Sequence, residues 1–365
     1  MNIGVPNERR PSEFRVGLTP PGVRLLTELG HQIYVERGAG EGAGFSEDDY
    51  RSSGAQMVYS GEEAYGRADI VLKIQRPLQE EMGWVRQGQA ILGFLHLNSA
   101  NRGEVQPLLD RQVTAIAYER IQAADGSNPV LRPFSQIGGW MAAPLAARLL
   151  QNNSGNRGVL LGGVPGVPPA EVVIIGAGTV GQNAARAFQG LGAQLTILDE
   201  DLSQLQAIED RMPCRPVTML ANPHTLATAC SFADVVVGAV RRPGGRTPIL
   251  IPREMLRRMK PGALIIDLSI DEGGIAETSR PTSHMDPTFV EEGVVHCCIP
   301  NLPSAVARTA CYAFQSAAWP YLRRMVSEGV EAVIDTDPGV QNAAMIKAGE
   351  PLHYRPVPYL TESDG

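Results

Sequence analysis

The 365-residue sequence has no uninterrupted apolar run of about 18 residues, the length a membrane-spanning helix requires. Its first residues, MNIGVPNERR, read as a short strand rather than an apolar signal core, so a soluble, cytoplasmic protein is expected. Clustered positive charge is missing as well. The net charge is −7, and basic residues pair only briefly, at Arg9-Arg10, Arg241-Arg242 and Arg323-Arg324, which argues against a nucleic-acid surface. Cysteine is sparse: Cys214, Cys230, Cys297, Cys298 and Cys311 are odd in number and lack metal-ligand spacing, so no metal is expected. Cys297 and Cys298 follow an apolar stretch and read as reduced thiols in a core or pocket wall. There is no internal repeat and no low-complexity run.

What is present centres on residues 171–201, EVVIIGAGTVGQNAARAFQGLGAQLTILDED. The β-branched run Val172–Ile175 predicts a central parallel strand, covered by helices on both faces. Gly176, Gly178 and Gly181 follow with the GxGxxG spacing. The first permits a tight turn, the second lets backbone approach a pyrophosphate, and the third lets the helix pack closely on the strand. Thr179 and Val180 open that helix and belong to the same expected cofactor contact. A second strand, Gln194–Leu198, leads to Asp199, placed to bind a ribose 2′-hydroxyl and to repel a 2′-phosphate; Glu200 and Asp201 deepen the preference for NAD over NADP. Strand, glycine turn, helix, strand and acid together predict dinucleotide binding, where a glycine fingerprint alone would not.

The rest of the chain alternates strands and helices. Strands are expected at 1–6, 32–36, 68–74, 90–95, 113–118, 235–240 and in a segment ending at 267–271. Helices are expected over Pro20–Leu29 with Gly30 as the stop, over 138–150 despite Pro144, over Pro252–Met259, and over a long stretch, Ala305–Val326, bent by Pro320. Residues 151–169 read as a loop with a small hairpin, and the tail from Glu328 as partly ordered surface. The expected fold is α/β, two Rossmann-like domains with parallel sheets. The NAD domain, 131–304, is inserted into a substrate domain formed by 1–130 and 305–365. Ligands of open parallel sheets sit beyond the carboxyl ends of the strands, which singles out Arg15, Lys73, His96 and Asp271. The ordinary alternatives are a solvated loop arginine, a snorkelling lysine and a satisfied wall histidine.

Over nearly its whole length the chain resembles the alanine dehydrogenase and transhydrogenase α-subunit family. The stretches that carry the resemblance are IGVPNERRPSEFRVGLTPPGV, ERGAGEGAGFSEDDY, FLHL, RGVLLGGVPGVPPAEVVIIGAGTVGQNAA, MKPGALIIDLSIDEGG, ETSRPTSHMDPTF and IPNLPSAVARTACYA. The resemblance implies a reversible NAD-linked dehydrogenase that joins ammonia to a 2-oxo acid bound between two domains, commonly assembled as a hexamer. It implies that Arg15 binds the substrate carboxylate, His96 exchanges protons, and Asp271 holds ammonia or the iminium. It implies that Asn301 lies in the pocket at the cofactor, and that Ser135 and Val240 also contact the cofactor. One position departs. Where alanine dehydrogenases normally read LKVKEP this chain reads LKIQRP, so Gln75 replaces a pocket lysine and Arg76 replaces an acid. A glutamine donates a hydrogen bond but shuttles no proton at neutral pH. Strand alternation puts Lys73 and Gln75 on one face about 7 Å apart, so Lys73 does not stand in for it. Gln75 remains a catalytic-site candidate, and Arg76, Arg132 and Arg241 are candidates for a larger or more anionic substrate than pyruvate. Three readings stay open: an amino-acid dehydrogenase with a substrate other than alanine, an opine-type coupling of a 2-oxo acid to an amino-acid amine, and a catalytically silent NAD-binding protein.

Overall fold

The computed structural model describes residues 1–154, 156–242 and 246–354. By internal contacts the chain divides into two compact units, Met1–Phe134 together with the segment from Ser304, and Ser135–Pro303.

The first unit opens with β1 (Asn2–Val5), β2 (Gln32–Glu36), β3 (Gln56–Val58), β4 (Ile70–Gln75), β5 (Ala90–Phe94) and β6 (Thr114–Ala117). These strands are mutually parallel and lie in the order β3-β2-β1-β4-β5-β6. Ile3, Val5, Ile33, Val35, Ile70, Leu72 and Ile74 are fully buried, the mark of a sheet covered on both faces. The helix Pro20–Glu28 takes Pro20 in its first turn and stops before Gly30, whose φ of 84° suits glycine.

The second unit contains β7 (Glu171–Ile175), β8 (Gln194–Asp199), β9 (Val217–Leu220), β10 (Val235–Gly238), β11 (Leu264–Asp267), β12 (Phe289–Glu291) and β13 (Val294–Cys297). Their order is β12-β13-β11-β10-β7-β8-β9, parallel except for β12 at the edge. In each sheet the strand order reverses beside the first strand of the unit, between β1 and β4 and between β7 and β10. Connections leave in opposite directions there and open a crevice at the carboxyl ends.

Several boundaries differ from the sequence reading. β11 stops at Asp267, and Asp271 falls in a single 3-10 turn, Ile270–Glu272. The cause is the buried Asp267 carboxylate, which accepts from Ser269 N (3.0 Å), Ile275 N (2.8 Å) and Ser279 Oγ (2.6 Å) and folds the segment back on itself. The expected helix over Pro252–Met259 is α-helical only at Arg253–Leu256, because Arg258 and Met259 bond three residues back. The helix expected over 138–150 begins earlier and spans Arg132–Leu149 with Pro144 inside it. The segment 151–169 does contain a small turn, closed by an antiparallel bridge of Val164 with Val167.

The tail differs most. After the helix Ala307–Glu328 the chain forms helices Val330–Thr336 and Pro338–Ala343, then β14 (Ala344–Lys347) and β15 (Glu350–Pro351). β14 pairs antiparallel with β6 and extends the first sheet, and Val333, Ile334, Val340 and Ala343–Ile346 are buried. The tail is therefore core, and its apolar residues look surface-like in sequence because each short element supplies only two or three of them. Residues 355–365 of that expectation lie outside the described residues.

A Cβ built on Gly181 would sit 1.8 Å from the Gly176 carbonyl oxygen, whereas one built on Gly178 meets nothing within 4 Å. Gly181→Ala is expected to lower unfolding free energy by about 2 kcal/mol or more, and Gly178→Ala to change it by less than about 1 kcal/mol. Urea unfolding of the two variants checks this; equal destabilisation would contradict the close approach at Gly181.

Candidate functional site

In the first unit the candidates gather where β1 and β4 diverge. Arg15 lies in the loop after β1 and is 4% exposed. Its Nε and Nη2 donate to Glu13 Oε1 and Oε2 at 2.7 and 2.6 Å, and its guanidinium carbon lies 4.4 Å from the Phe134 ring centroid. Phe134 packs in turn on Phe94 and Phe314. A guanidinium fixed on one edge and one face has lost most of its rotamer freedom, which suits it to a planar carboxylate. Glu13 also receives Arg15 N (3.1 Å), Gln75 Nε2 (3.1 Å) and Ser304 Oγ (3.1 Å). Burial pushes its carboxyl up, but Arg15 and Gln75 outweigh that and hold it at about 2, so it is ionised at neutral pH.

Lys73 does not snorkel. It is 1% exposed, with Nζ 2.7 Å from Glu81 and 3.4 Å from Glu8, and the Tyr65 hydroxyl lies 3.3 Å from Glu81. The ladder between β4 and β5 shifts register between Leu72 and Gln75. That bulge removes the strict alternation on which a common face for Lys73 and Gln75 depended. Lys73 turns to Glu81 and Glu8, and Gln75 turns to Glu13. Glu8 accepts Ile74 N at 2.6 Å and Gln75 N at 3.4 Å, and burial pushes its carboxyl above the usual carboxylate range against the pull of Lys73.

His96 follows β5 in the left-handed conformation, φ 42°, with its side chain about half exposed. Glu119 accepts the Leu95 and His96 amides at 3.2 and 2.8 Å and lies 3.8 Å from His96 Nδ1. Arg76 Nη1 donates to the Leu95 and His96 carbonyls, each at 3.0 Å, while its Nη2 lies 3.2 Å from Glu104. Arg15 and Gln75 are thus joined through Glu13, and the His96 turn is tied to the end of β4 through Arg76. Arg76 and Arg241 spend their charge within the protein, on Glu104 and on Glu272 (2.9 Å), and Arg132 is exposed. This weakens the charge argument for a more anionic substrate.

In the second unit the glycine turn has the expected geometry. Gly176 has φ 104° with its Cα against the Ala239 carbonyl at the end of β10, where a Cβ would come within 2.4 Å. Gly178 caps the helix Thr179–Gly190 without a side-chain hydrogen bond. The first-turn amides and the open space at Gly178 fit a pyrophosphate, with Thr179 exposed and Val180 half-buried beside them. Asp199 Oδ2 accepts Ala177 N at 2.6 Å and Oδ1 accepts Asp201 N at 2.9 Å, so the acid that suits a ribose also holds the turn. Val240 N donates to Ser269 Oγ at 3.0 Å. Asp271, exposed on its 3-10 turn, has Oδ2 3.4 Å from the amide of Asn301, which is left-handed with φ 56°. Ser135 lies half-buried in the first turn of the helix Arg132–Leu149.

Sequence reasoning missed Glu13, Glu119 and Asp267, the carboxylates that hold Arg15, the His96 turn and the Asp271 turn. Glu13 carried a usable signal: in an extended loop residues 13 and 15 point the same way. Glu119 carried none, because it meets His96 only through the pairing of β5 with β6. The cysteines behave as read: Cys297 and Cys298 are buried, and burial pushes both thiols up to about 12. Among the described residues no helix is long and apolar enough to cross a membrane.

Comparison with known proteins gives a consistent picture. The N-terminal domain of the alanine dehydrogenase/PNT family matches residues 4–138, and its C-terminal domain matches residues 142–354. An alanine dehydrogenase of Mycobacterium tuberculosis (strain ATCC 25618 / H37Rv) is 40% identical over 97% of this chain and 95% of its own length. That of Halomonas elongata is 41% identical over 98% and 96%. A solved L-alanine dehydrogenase structure superposes with a TM-score of 0.91 at 40% identity, covering 99% of this chain and 98% of that one. The chain therefore belongs to the alanine dehydrogenase/PNT family, as an NAD-dependent oxidoreductase that interconverts an amino acid and a 2-oxo acid.

Proposed function

We propose that this protein acts on an amino acid other than alanine, with Arg15, Gln75, His96 and Asp271 at the reacting centre. The observation that carries the reading is the Arg15–Glu13–Gln75 cluster at the end of β4, which keeps a preorganised carboxylate fork but has an uncharged amide beside it. Arg15 fixes the substrate carboxylate and with it the orientation of the α-carbon. His96, half exposed and backed by Glu119, exchanges a proton with the oxygen that enters or leaves as water. Asp271 holds the ammonium or iminium nitrogen. NAD, when bound, supplies the hydride chemistry. Gly176, Gly178, Thr179, Val180 and Gly181 would hold its pyrophosphate, Asp199 its ribose, and Ser135, Val240 and Asn301 would line the nicotinamide end. In balance, an amino acid, NAD⁺ and water give a 2-oxo acid, ammonium, NADH and a proton.

The same reading includes a homo-oligomer, a hexamer by family resemblance, in the cytoplasm. Self-association is supported by the apolar surface of Leu160, Val164, Val167 and Leu191, each more than two-fifths exposed, around the small turn of the second unit. The silent NAD-binding alternative draws on Gln75 alone.

Loss of NADH absorbance with a panel of 2-oxo acids plus ammonia is the expected outcome, with pyruvate a poorer substrate than at least one other member. No turnover across the panel would overturn the reading, and turnover only when an amino acid replaces ammonia would convert it to opine-type coupling. Asp199→Asn keeps one acceptor oxygen for the turn but loses the charge. It is expected to weaken NADH binding about tenfold and to narrow the discrimination against NADPH, read by nucleotide fluorescence titration. Unchanged discrimination would remove Asp199 from the ribose site.

A further inference from the structure

Gln75 has a feature that sequence alone leaves open: which end of its amide faces the site. Glu13 decides it. Its carboxylate is ionised, takes Arg15 through two guanidinium nitrogens and has no proton to give, so it meets the Gln75 NH₂ rather than the Gln75 oxygen, with Nε2 3.1 Å from Oε2. The reversed amide would set two acceptors against each other in a buried setting. The backbone adds a second restraint, because the register shift in β4 and the contact of Gln75 N with Glu8 Oε2 (3.4 Å) fix the strand end from which the side chain springs. The Gln75 side chain is only half-buried, and among the described residues its Oε1 receives no hydrogen bond. An acceptor is therefore presented beside Arg15.

Resting on the dehydrogenase reading above, we propose that Gln75 determines specificity by accepting a hydrogen bond from the substrate nitrogen. The site thereby favours an amino acid, or an iminium with an N–H, over the corresponding 2-oxo acid. The chemistry is directional. A carboxylate or carbonyl oxygen has only lone pairs to offer and is repelled by Gln75 Oε1, whereas an ammonium, amine or iminium N–H is bound. Arg15 supplies the anion-binding group and Gln75 the complementary acceptor, so the pair reads the two polar groups on one α-carbon.

The test uses the full-length protein with NAD⁺ or NADH and four pairs, L-alanine with pyruvate, L-serine with hydroxypyruvate, L-leucine with 4-methyl-2-oxopentanoate and L-glutamate with 2-oxoglutarate. KM and kcat are measured in both directions for wild type, Gln75→Met and Gln75→Lys. Methionine keeps the length and removes both hydrogen-bonding groups; lysine keeps a donor toward Glu13 and presents no acceptor. For the pair that wild type turns over best, both variants are expected to raise the amino-acid KM by about three- to tenfold, the worth of one ordinary hydrogen bond. The 2-oxo acid KM falls in Gln75→Met, where the repelling oxygen is gone, and falls further in Gln75→Lys, where a donor replaces it. Equal changes in both KM values, or a larger loss for the 2-oxo acid, overturn the assignment while leaving the dehydrogenase reading standing. A wild-type enzyme that turns over no pair overturns both, and that result differs from any produced by the variants. If Gln75→Met fails to fold, the opposite movement of the two KM values in Gln75→Lys decides alone.

Discussion

The carboxylate of Glu13 is the constraint on which the first unit's site depends. It is buried, and a buried carboxylate is tolerated only where donors replace the water it has lost. Those donors come from three distant parts of the chain: Arg15 in the loop after β1, Gln75 at the end of β4, and Ser304 where the chain returns to the unit. Removing one member of such a pair leaves the other charge buried and costs about 3–5 kcal/mol, far more than the pair contributes over an apolar replacement. The arrangement is thus better explained by precision than by stability. It fixes the Arg15 fork on one edge, while Phe134 fixes one face.

The same physics is repeated one layer deeper. Lys73 is held between Glu81 and Glu8, and Glu8 accepts the amides of Ile74 and Gln75 at the bulge. The bulge re-aims the end of β4, so that two side chains two residues apart serve different carboxylates. Both clusters sit where the sheet order reverses, which is also where the glycine turn lies in the second unit. One topological rule therefore accounts for the position of the Arg15–Glu13 pair and of the glycine turn, each within its own unit.

This explains what could and could not be read in the sequence. The glycine turn, β7, β8 and the position of Asp199 at the end of β8 were legible because each depends on neighbours within about thirty residues. β2 was read to the residue and the helix from Pro20 to within one, since their start and stop signals are local. The bulge at Leu72–Gln75 was not legible: period-two alternation is the default for a strand, and nothing in LKIQRP departs from it. The left-handed turn at His96 was hidden for a related reason, since it is held by Glu119 and Arg76, which follow the ends of β6 and β4, rather than by its own residue type. The tail from Glu328 was misread because its burial comes from pairing with β6, more than two hundred residues away.

The replacement at position 75 then means more than a lost charge. A lysine ammonium has three donors that rotate freely, so it satisfies Glu13 and still presents a donor outward. A glutamine divides those two tasks between unlike atoms. Once Glu13 claims the NH₂, the group facing outward is an oxygen, and the sign of the contact is reversed. The carboxylates of the deeper layer do not alter this, because Glu8 and Glu81 face Lys73 and only Glu13 faces Arg15. Beside Arg15 there is then one bound carboxylate, which already has its donors, and one amide oxygen. The difference at position 75 is therefore one of hydrogen-bond direction, while the nearby arginines Arg76 and Arg241 are already paired with Glu104 and Glu272.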